Sequence, residues 1–213
     1  TDNSATRFKC LSTMFSTYLQ GLMIGLSLIV AIGAQNTFVL KQGLKKQNIF
    51  WVCFVCALSD SILITLGIAG FSSILHHYPS IIQFAKWGGA LFLIWYGYQH
   101  AVQALKLQQT MQMSSGNESN LIQSILMCLA LTWLNPHVYL DTVIFMGSIS
   151  TQFEHTVYFA LGAVSASWLF FFALGYGARV LIPIFESPKA WRVLDAIIAF
   201  IMWGIASSLL MNT

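Results

Sequence analysis

The chain has 213 residues, of which 57% are hydrophobic and only 8% are charged, and its formal net charge is +3. Soluble domains carry a charge on about a quarter of their residues. This composition therefore excludes an ordinary soluble domain and indicates an integral membrane protein. The sequence contains no basic stripe and no run of like charge, so we expect no nucleic-acid partner.

Residues 1–17 form a short polar segment before the first long apolar run. The segment begins "TDNSATRFKCLST", is followed by Met14, and lacks the apolar core of a signal peptide. We expect either a mobile N-terminal extension or a translation start at Met14.

Six apolar segments are long enough to cross a bilayer, which takes about 20 mostly apolar residues per helix. In chain order they are 18–40, 48–75, 81–105, 121–150, 157–178 and 191–211. Residues 106–120 are polar and separate the third segment from the fourth. The predicted fold is an all-α integral membrane protein with six transmembrane helices embedded in the lipid bilayer.

The two halves of the chain resemble each other. "IGAQNTFVL" in the first span resembles "WLNPHVYLD" in the fourth, "LSDSIL" resembles "VSASWL", and "LIWYG" resembles "FIMWG". Two halves with three spans each must be inverted relative to one another, as in many secondary transporters. The sequence thus predicts two inverted three-helix repeats, residues 18–105 and 121–213, joined by a polar linker at 106–120.

The first helix of each predicted repeat has an irregular point at the matching position. In the first span Gly33 weakens the helix, and the amides Gln35 and Asn36 follow it. In the fourth span Asn135 precedes Pro136, which removes a backbone N–H and kinks or breaks the helix. Freed backbone groups must be buried in protein or line a wet cavity. Paired breaks of this kind indicate a binding site near the membrane midplane. The alternative is a proline kink that serves packing alone.

Two aspartates fall inside apolar spans. Asp60 lies roughly 18 Å into the second span at about 1.5 Å per residue, near the middle of the hydrocarbon core. Asp141 follows the break at Pro136 and is expected to face the same cavity. Because acids are costly in a membrane, they are functional candidates by default. In the alternative interpretation they pair with Lys86, Arg179 or an amide to fix helix packing.

Two further titratable residues are weaker candidates. His137 is interpreted either as a proton relay or as a donor of one hydrogen bond between helices. Asp195 lies in the first turns of the sixth span, where an acid stabilises the helix N-terminus, and we expect a structural role for it.

Two short motifs favour packing over chemistry. Gly21 and Gly25 form a G-x-x-x-G face that predicts close helix packing, either inside the chain or in a homodimer. Cys53 and Cys56 have a redox or metal spacing but lack a second pair, so they are interpreted as small buried side chains one helical turn apart. We expect no metal site and no cofactor.

Several motifs together resemble the lysine/arginine exporter family of bacterial inner membranes, the LysE-type translocators. They are "IGAQNTFVLKQGLKKQ", "CALSDSILITLGIAG", "KWGGALFLIWYG", "LTWLNPHVYLDT" and "ESPKAWR". The resemblance covers residues 14–211 and is nearest to the arginine-exporting branch. It implies export of L-arginine or L-lysine, driven by protons. One departure stands out: Ala34 replaces the proline of the family's Pro-Gln-Asn motif, which predicts a less broken first helix.

Orientation follows from the basic residues, which are commoner in cytoplasmic loops. They cluster after the first, third and fifth spans, at Lys41, Lys45, Lys46, Lys106, Arg179, Lys189 and Arg192. This pattern predicts that both termini are periplasmic, although Arg7 and Lys9 oppose it.

These residues suggest a mechanism of exchange. The substrate carboxylate suits the positive end of a half-helix, at Gln35 and Asn36 or just after Pro136. The cationic group suits Asp60 and Asp141. Competition between a proton and the substrate cation for the same acids would give antiport. The alternatives are an intramembrane aspartyl protease, which would normally carry a G-x-G-D string, and a membrane scaffold without transport activity.

Overall fold

The computed structural model describes residues 2–30, 33–71, 79–105 and 120–211. Within these ranges the chain consists of helices joined by short turns and contains no strand. We number eight helices in this part of the chain: α1 Asp2–Ile29, α2 Ala34–Lys45, α3 Ile49–Leu66, α4 Pro79–Leu105, α5 Leu121–Trp133, α6 Pro136–Ser150, α7 Thr156–Gly177 and α8 Pro188–Met211.

Three helical stretches depart from α-helical winding. A π-helical turn, Gly67–Phe71, continues α3, and the segment Tyr139–Phe145 inside α6 is also π-helical. A 3-10 helix, Ala178–Glu186, continues α7. π-helical turns are rare and are found frequently at functional sites.

Three helical segments of the described chain are long and apolar enough to cross a membrane: Ile49–Gly70, Thr156–Phe185 and Pro188–Met211. The interrupted pairs α1–α2 and α5–α6 raise the number to five if each pair counts as one span. The protein is therefore an all-helical, multi-pass membrane protein. Part of the polar linker predicted at 106–120 lies outside the described residues, and α1 takes in most of the segment predicted as a polar extension.

The helices fall into two compact units, and α3 and α7 contribute one part to each. The first unit comprises residues 1–31, 57–79 and 137–170. Its core is formed by Ile64, Met146, Phe159 and Ala163, which are fully or almost fully buried.

Glycines bring the helices of the first unit into close contact. A Cβ on Gly21 of α1 would lie 2.2 Å from the carbonyl oxygen of Phe159, and one on Gly162 of α7 would lie 2.0 Å from that of Tyr18. A Cβ on Gly25 would lie 3.0 Å from the Cβ of Ala166 and 3.1 Å from the Cα of Ala163, both on α7. The G-x-x-x-G face of α1 thus packs against α7 inside the chain.

The second unit comprises residues 32–56, 80–136 and 171–213. Cys53 and Cys56 are fully buried in it. Cys53 donates a hydrogen bond to the Phe171 carbonyl, and the Cys56 sulfur lies against Cys128 of α5.

Small residues also set the helix contacts of the second unit. A Cβ on Gly43 of α2 would lie 2.3 Å from the carbonyl oxygen of Gly175, and one on Gly89 of α4 would lie 1.9 Å from that of Leu134. Helix α2 is packed against the 3-10 helix, α5 and α8.

Candidate substrate-binding site

The first predicted break is present between α1 and α2. Helix α1 ends at Ile29, and α2 begins at Ala34 after Gly33, whose backbone is extended with φ −121° and ψ 172°. Gly33 at the N-cap position has no side chain to cap α2, and the first backbone bond into Gly33 comes from Thr37. The N–H groups of the first turn therefore have no partner within the helix. They form a positive helix end suited to an anion.

Gln35 stands in this first turn of α2. The residue is 8% exposed, and its buried Nε2 atom has no hydrogen-bond partner among the residues that the structure describes. Buried polar groups almost always have a partner, so an unpaired donor here needs an explanation. Ala34 is fully buried at the first helical position. The break is present even though Ala34 replaces the family proline.

The second break separates α5 from α6. Helix α5 ends at Trp133, and α6 begins with Pro136 at its first position, where the missing N–H costs nothing. The backbone N–H of Asn135 turns back to the carbonyl of Thr132, 3.4 Å away. After Val138 the helix widens into its π-helical segment.

Asp60 lies on α3 and is 4% exposed. Its Oδ2 accepts a hydrogen bond of 3.1 Å from the hydroxyl of Ser167 on α7. Beside it, the indole N–H of Trp168 donates to the hydroxyl of Ser61, 3.0 Å away. Among the residues that the structure describes, Asp60 forms no ion pair. A carboxylate in an apolar span is thus held by a single neutral donor.

Asp141 has a different environment. It lies on the π-helical segment of α6 with its side chain at the surface of the chain, and it interacts electrostatically with His137 one turn earlier. Asp60, His137 and Asp141 all belong to the first unit. Gln35, Asn36, Asn135 and Pro136 belong to the second.

A buried polar cluster in the second unit was not predicted as a site. The ammonium of Lys41 on α2 lies 2.5 Å from Oδ1 of Asp195 on α8 and donates to Oε1 of Gln103, 3.1 Å away. The Nδ1 atom of His100 on α4 lies 2.7 Å from the same Asp195 oxygen and 3.2 Å from the ammonium. Lys41, His100 and Asp195 are each at most 6% exposed. We call Lys41, His100, Gln103 and Asp195 the Lys41 cluster.

The distances in the Lys41 cluster indicate where one proton resides. An imidazole nitrogen and a carboxylate oxygen 2.7 Å apart need a proton between them. His100 Nδ1 therefore donates to Asp195 and has no lone pair left for Lys41. The Tyr96 ring packs edge-on against His100, with centroids 4.6 Å apart, and fixes its plane.

Sequence patterns contained only part of the signal for this cluster. Lys41 was interpreted as a loop cation that sets topology, and Asp195 as an acid that stabilises a helix end. Asp195 is an ionisable group within an apolar segment, which is the sign that should have singled it out, whereas Lys41 directly follows such a segment. The pairing of Lys41 with Asp195 depends on the tertiary structure, because 154 residues separate them in sequence.

Comparison with known proteins gives a consistent result. Residues 26–213 match the LysE type translocator family. The chain is 39% identical over 198 residues to the arginine exporter protein ArgO of Pectobacterium carotovorum subsp. carotovorum strain PC1, covering 92% of this chain and 97% of the relative. It is 39% identical to that of Escherichia coli K12, covering 92% of this chain and 94% of the relative, and 40% identical to that of Klebsiella pneumoniae strain 342, with the same coverage. No solved structure matches the chain.

Proposed function

This chain belongs to the LysE type translocator family, and from that membership we propose that it exports basic amino acids in exchange for protons. The resemblance noted in the sequence is confirmed. The chain is a transporter and not an enzyme, which removes the intramembrane protease and the inert scaffold as alternatives. The relatives named as arginine exporters make L-arginine the first candidate substrate and L-lysine the second.

The observation that carries the chemical part of the proposal is the environment of Asp60. A carboxylate buried in an apolar span, with Ser167 as its hydrogen-bond partner, is stable only if it holds a proton or binds a cation. Arginine cannot lose its own proton. One site that accepts either a proton or a guanidinium would couple the two flows. In this proposal Asp141, with His137 beside it, is the second acid.

Within the second unit, the positive N-terminal end of α2 suits an anion such as the substrate carboxylate. The first turn of α2 is the positive end of a helix and contains the Gln35 side chain, whose Nε2 has no partner among the described residues, and both favour an anion. Asn36 lies in the same turn. Asn135 and Pro136 at the second break are the matching positions in the other predicted repeat.

Energetics make a driving ion necessary. Moving one positive charge outward against the membrane potential costs about 2.3 kcal/mol per 100 mV. A cationic amino acid cannot be concentrated outside the cell without a compensating flow. Exchange with an inward proton moves no net charge when one proton replaces one substrate cation.

Two contacts support the inverted three-helix repeats. The hydrogen bond from Ser167 to Asp60 joins "VSASWL" to "LSDSIL", which are matching motifs of the two halves. The indole of Trp203 donates to the carbonyl of Ile94, which joins "FIMWG" to "LIWYG". Matching segments meet in this way when a two-fold axis relates the halves. Six spans in two inverted repeats therefore remain the proposed architecture.

The proposed location is the bacterial inner membrane with both termini periplasmic. Lys41 is buried in the Lys41 cluster and no longer counts as a loop cation. Lys45 and Lys46 after the first span still favour a cytoplasmic loop there. A periplasmic reporter fused after Met211 should be active, and one active only in the cytoplasm would overturn this orientation.

Counter-flow in proteoliposomes tests the proposed function. Vesicles loaded with unlabelled arginine should take up labelled arginine, and lysine should compete. A higher proton concentration on the side to which arginine is exported should accelerate arginine efflux. Vesicles that exchange no basic amino acid would overturn the proposal. Exchange that ignores the proton gradient would overturn the antiport mechanism alone.

A further inference from the structure

Helix α2 contains two buried side-chain amides that each have an unpaired atom. Within the described part of the chain, the Nε2 of Gln35 and the Oε1 of Gln42 have no hydrogen-bond partner, and each residue is 8% exposed. We propose that these two glutamines form a substrate subsite in which Gln35 binds the α-carboxylate and Gln42 accepts a hydrogen bond from the distal cationic group. This inference rests on the proposed export of basic amino acids and assigns Gln42 a role in specificity.

The spacing of the two residues places them on one face of α2. Seven residues make almost two full turns, so Gln35 and Gln42 differ by only about 20° around the axis and lie about 10.5 Å apart along it. Lys41 points about 100° away from Gln42 and forms its own bonds in the Lys41 cluster. The cluster anchors α2 through a different face and leaves the two amides free of it.

Poor packing does not account for the unpaired atoms. Helix α2 is tightly packed: Gly43 contacts Gly175, and Phe38, Val39 and Leu44 are buried. Leaving one buried polar atom unpaired costs about 1–3 kcal/mol. A functional ligand that pairs with both atoms when bound explains why the cost is tolerated at two positions of one helix.

The chemistry of the two atoms is complementary to the two ends of the substrate. Nε2 is a donor beside the positive N-terminus of α2, and a carboxylate accepts from both. Oε1 is a neutral acceptor two turns further along. A guanidinium has five donors and an ammonium three, so a buried cationic group needs neutral acceptors such as this one.

The spacing of Gln35 and Gln42 makes binding depend on the length of the substrate side chain. Arginine and lysine carry their charge on stems of three or four methylene groups, which reach along the helix from Gln35 toward Gln42. Shorter diamino acids that bind by their carboxylate at Gln35 leave Gln42 unpaired. We expect the transporter to prefer the long basic amino acids for this reason.

Competition in the counter-flow assay tests each glutamine separately. The competitors are arginine, ornithine, diaminobutyrate, diaminopropionate and agmatine, which is arginine without its carboxylate. Gln42→Met should weaken competition by arginine about tenfold and leave diaminopropionate unchanged, so the length preference collapses. Gln35→Met should weaken competition by every amino acid about tenfold and leave competition by agmatine unchanged.

Two further variants control for folding and chemistry. Gln123→Met changes an exposed glutamine on α5 and should leave every competitor unaffected. Gln42→Glu keeps the shape and the acceptor, so it should retain the length preference that Gln42→Met loses. This comparison decides the matter even if Gln42→Met is poorly folded.

The inference and the proposed function fail in different ways. If wild-type vesicles exchange arginine but Gln42→Met and Gln42→Glu both keep the wild-type length preference, the subsite is overturned and the export function stands. The subsite is also overturned if Gln42→Glu loses the preference, or if Gln35→Met weakens agmatine as much as arginine. If wild-type vesicles exchange no basic amino acid, the proposed function itself has failed.

Discussion

The ammonium of Lys41 and the carboxylate of Asp195 lie 2.5 Å apart in the interior of the second unit, although 154 residues separate them in sequence. Because each is almost fully buried, neither charge can be solvated by water if its partner is lost. His100 donates to the same carboxylate oxygen and links α4 to the pair. The Lys41 cluster therefore connects α2, α4 and α8.

The Lys41 cluster predicts a strong double-mutant effect. Asp195→Asn removes the counter-charge of the Lys41 cation and should lower the stability by about 3–5 kcal/mol, as when one partner of a buried ion pair is removed. The double variant Lys41→Met/Asp195→Asn has no buried charge and keeps an acceptor for His100. It should recover most of the loss. Thermal unfolding in detergent measures both, and a double variant as unstable as the single one would contradict the pairing.

Asp60→Asn should abolish exchange of arginine while the protein stays folded and inserted, because the amide cannot hold a proton or pair with a cation. Labelled-arginine counter-flow measures the loss, and size-exclusion profiles in detergent check the fold. Ser165→Ala in the neighbouring segment of α7 is the control, since Ser165 bonds only its own helix at Leu161. Export that survives in Asp60→Asn would exclude Asp60 as the coupling acid.

Adjacent glycines of α4 should respond in opposite ways to alanine. A Cβ on Gly89 would lie 1.9 Å from the carbonyl oxygen of Leu134, whereas one on Gly88 meets nothing within 4 Å. Gly89→Ala must push α4 from the end of α5 and should cost about 1–3 kcal/mol. Gly88→Ala should instead stabilise by up to about 1 kcal/mol through helix propensity. Unfolding temperatures of the two variants should move in opposite directions, and equal shifts would contradict this contact.

Restoring the family proline should be tolerated at Ala34. Position 34 is the first residue of α2, its N–H is not needed by the helix, and Gly33 before it is already extended. Ala34→Pro should stabilise by about 0.4–1 kcal/mol through the unfolded state.

Ala57→Pro is the matched control, since it lies in the interior of α3, where proline costs about 3 kcal/mol or more. A loss of stability in Ala34→Pro similar to that in Ala57→Pro would mean that α2 does not begin at residue 34.

Much of the fold could be predicted from local pattern. Long apolar runs indicated the membrane helices, and Gly33 and Pro136 indicated both interruptions, because a missing side chain or a missing N–H acts on the backbone where it stands. Asp60 was predicted to lie near the middle of the hydrocarbon core because it falls in the middle of an apolar run. The family resemblance rested on contiguous motifs of the same kind.

The tertiary structure alone decided which polar side chains form hydrogen bonds and ion pairs with each other. Whether Lys41 is a loop cation or a buried one depends on which helices pack around it, and Asp195, His100 and Gln103 come from distant parts of the chain. The unpaired atoms of Gln35 and Gln42 are likewise invisible in sequence, where both residues are ordinary polar positions of a helix. A hydrogen-bond partner is a property of three-dimensional proximity, so the sequence by itself determined where polar groups enter the membrane, and only packing decided which of them are satisfied.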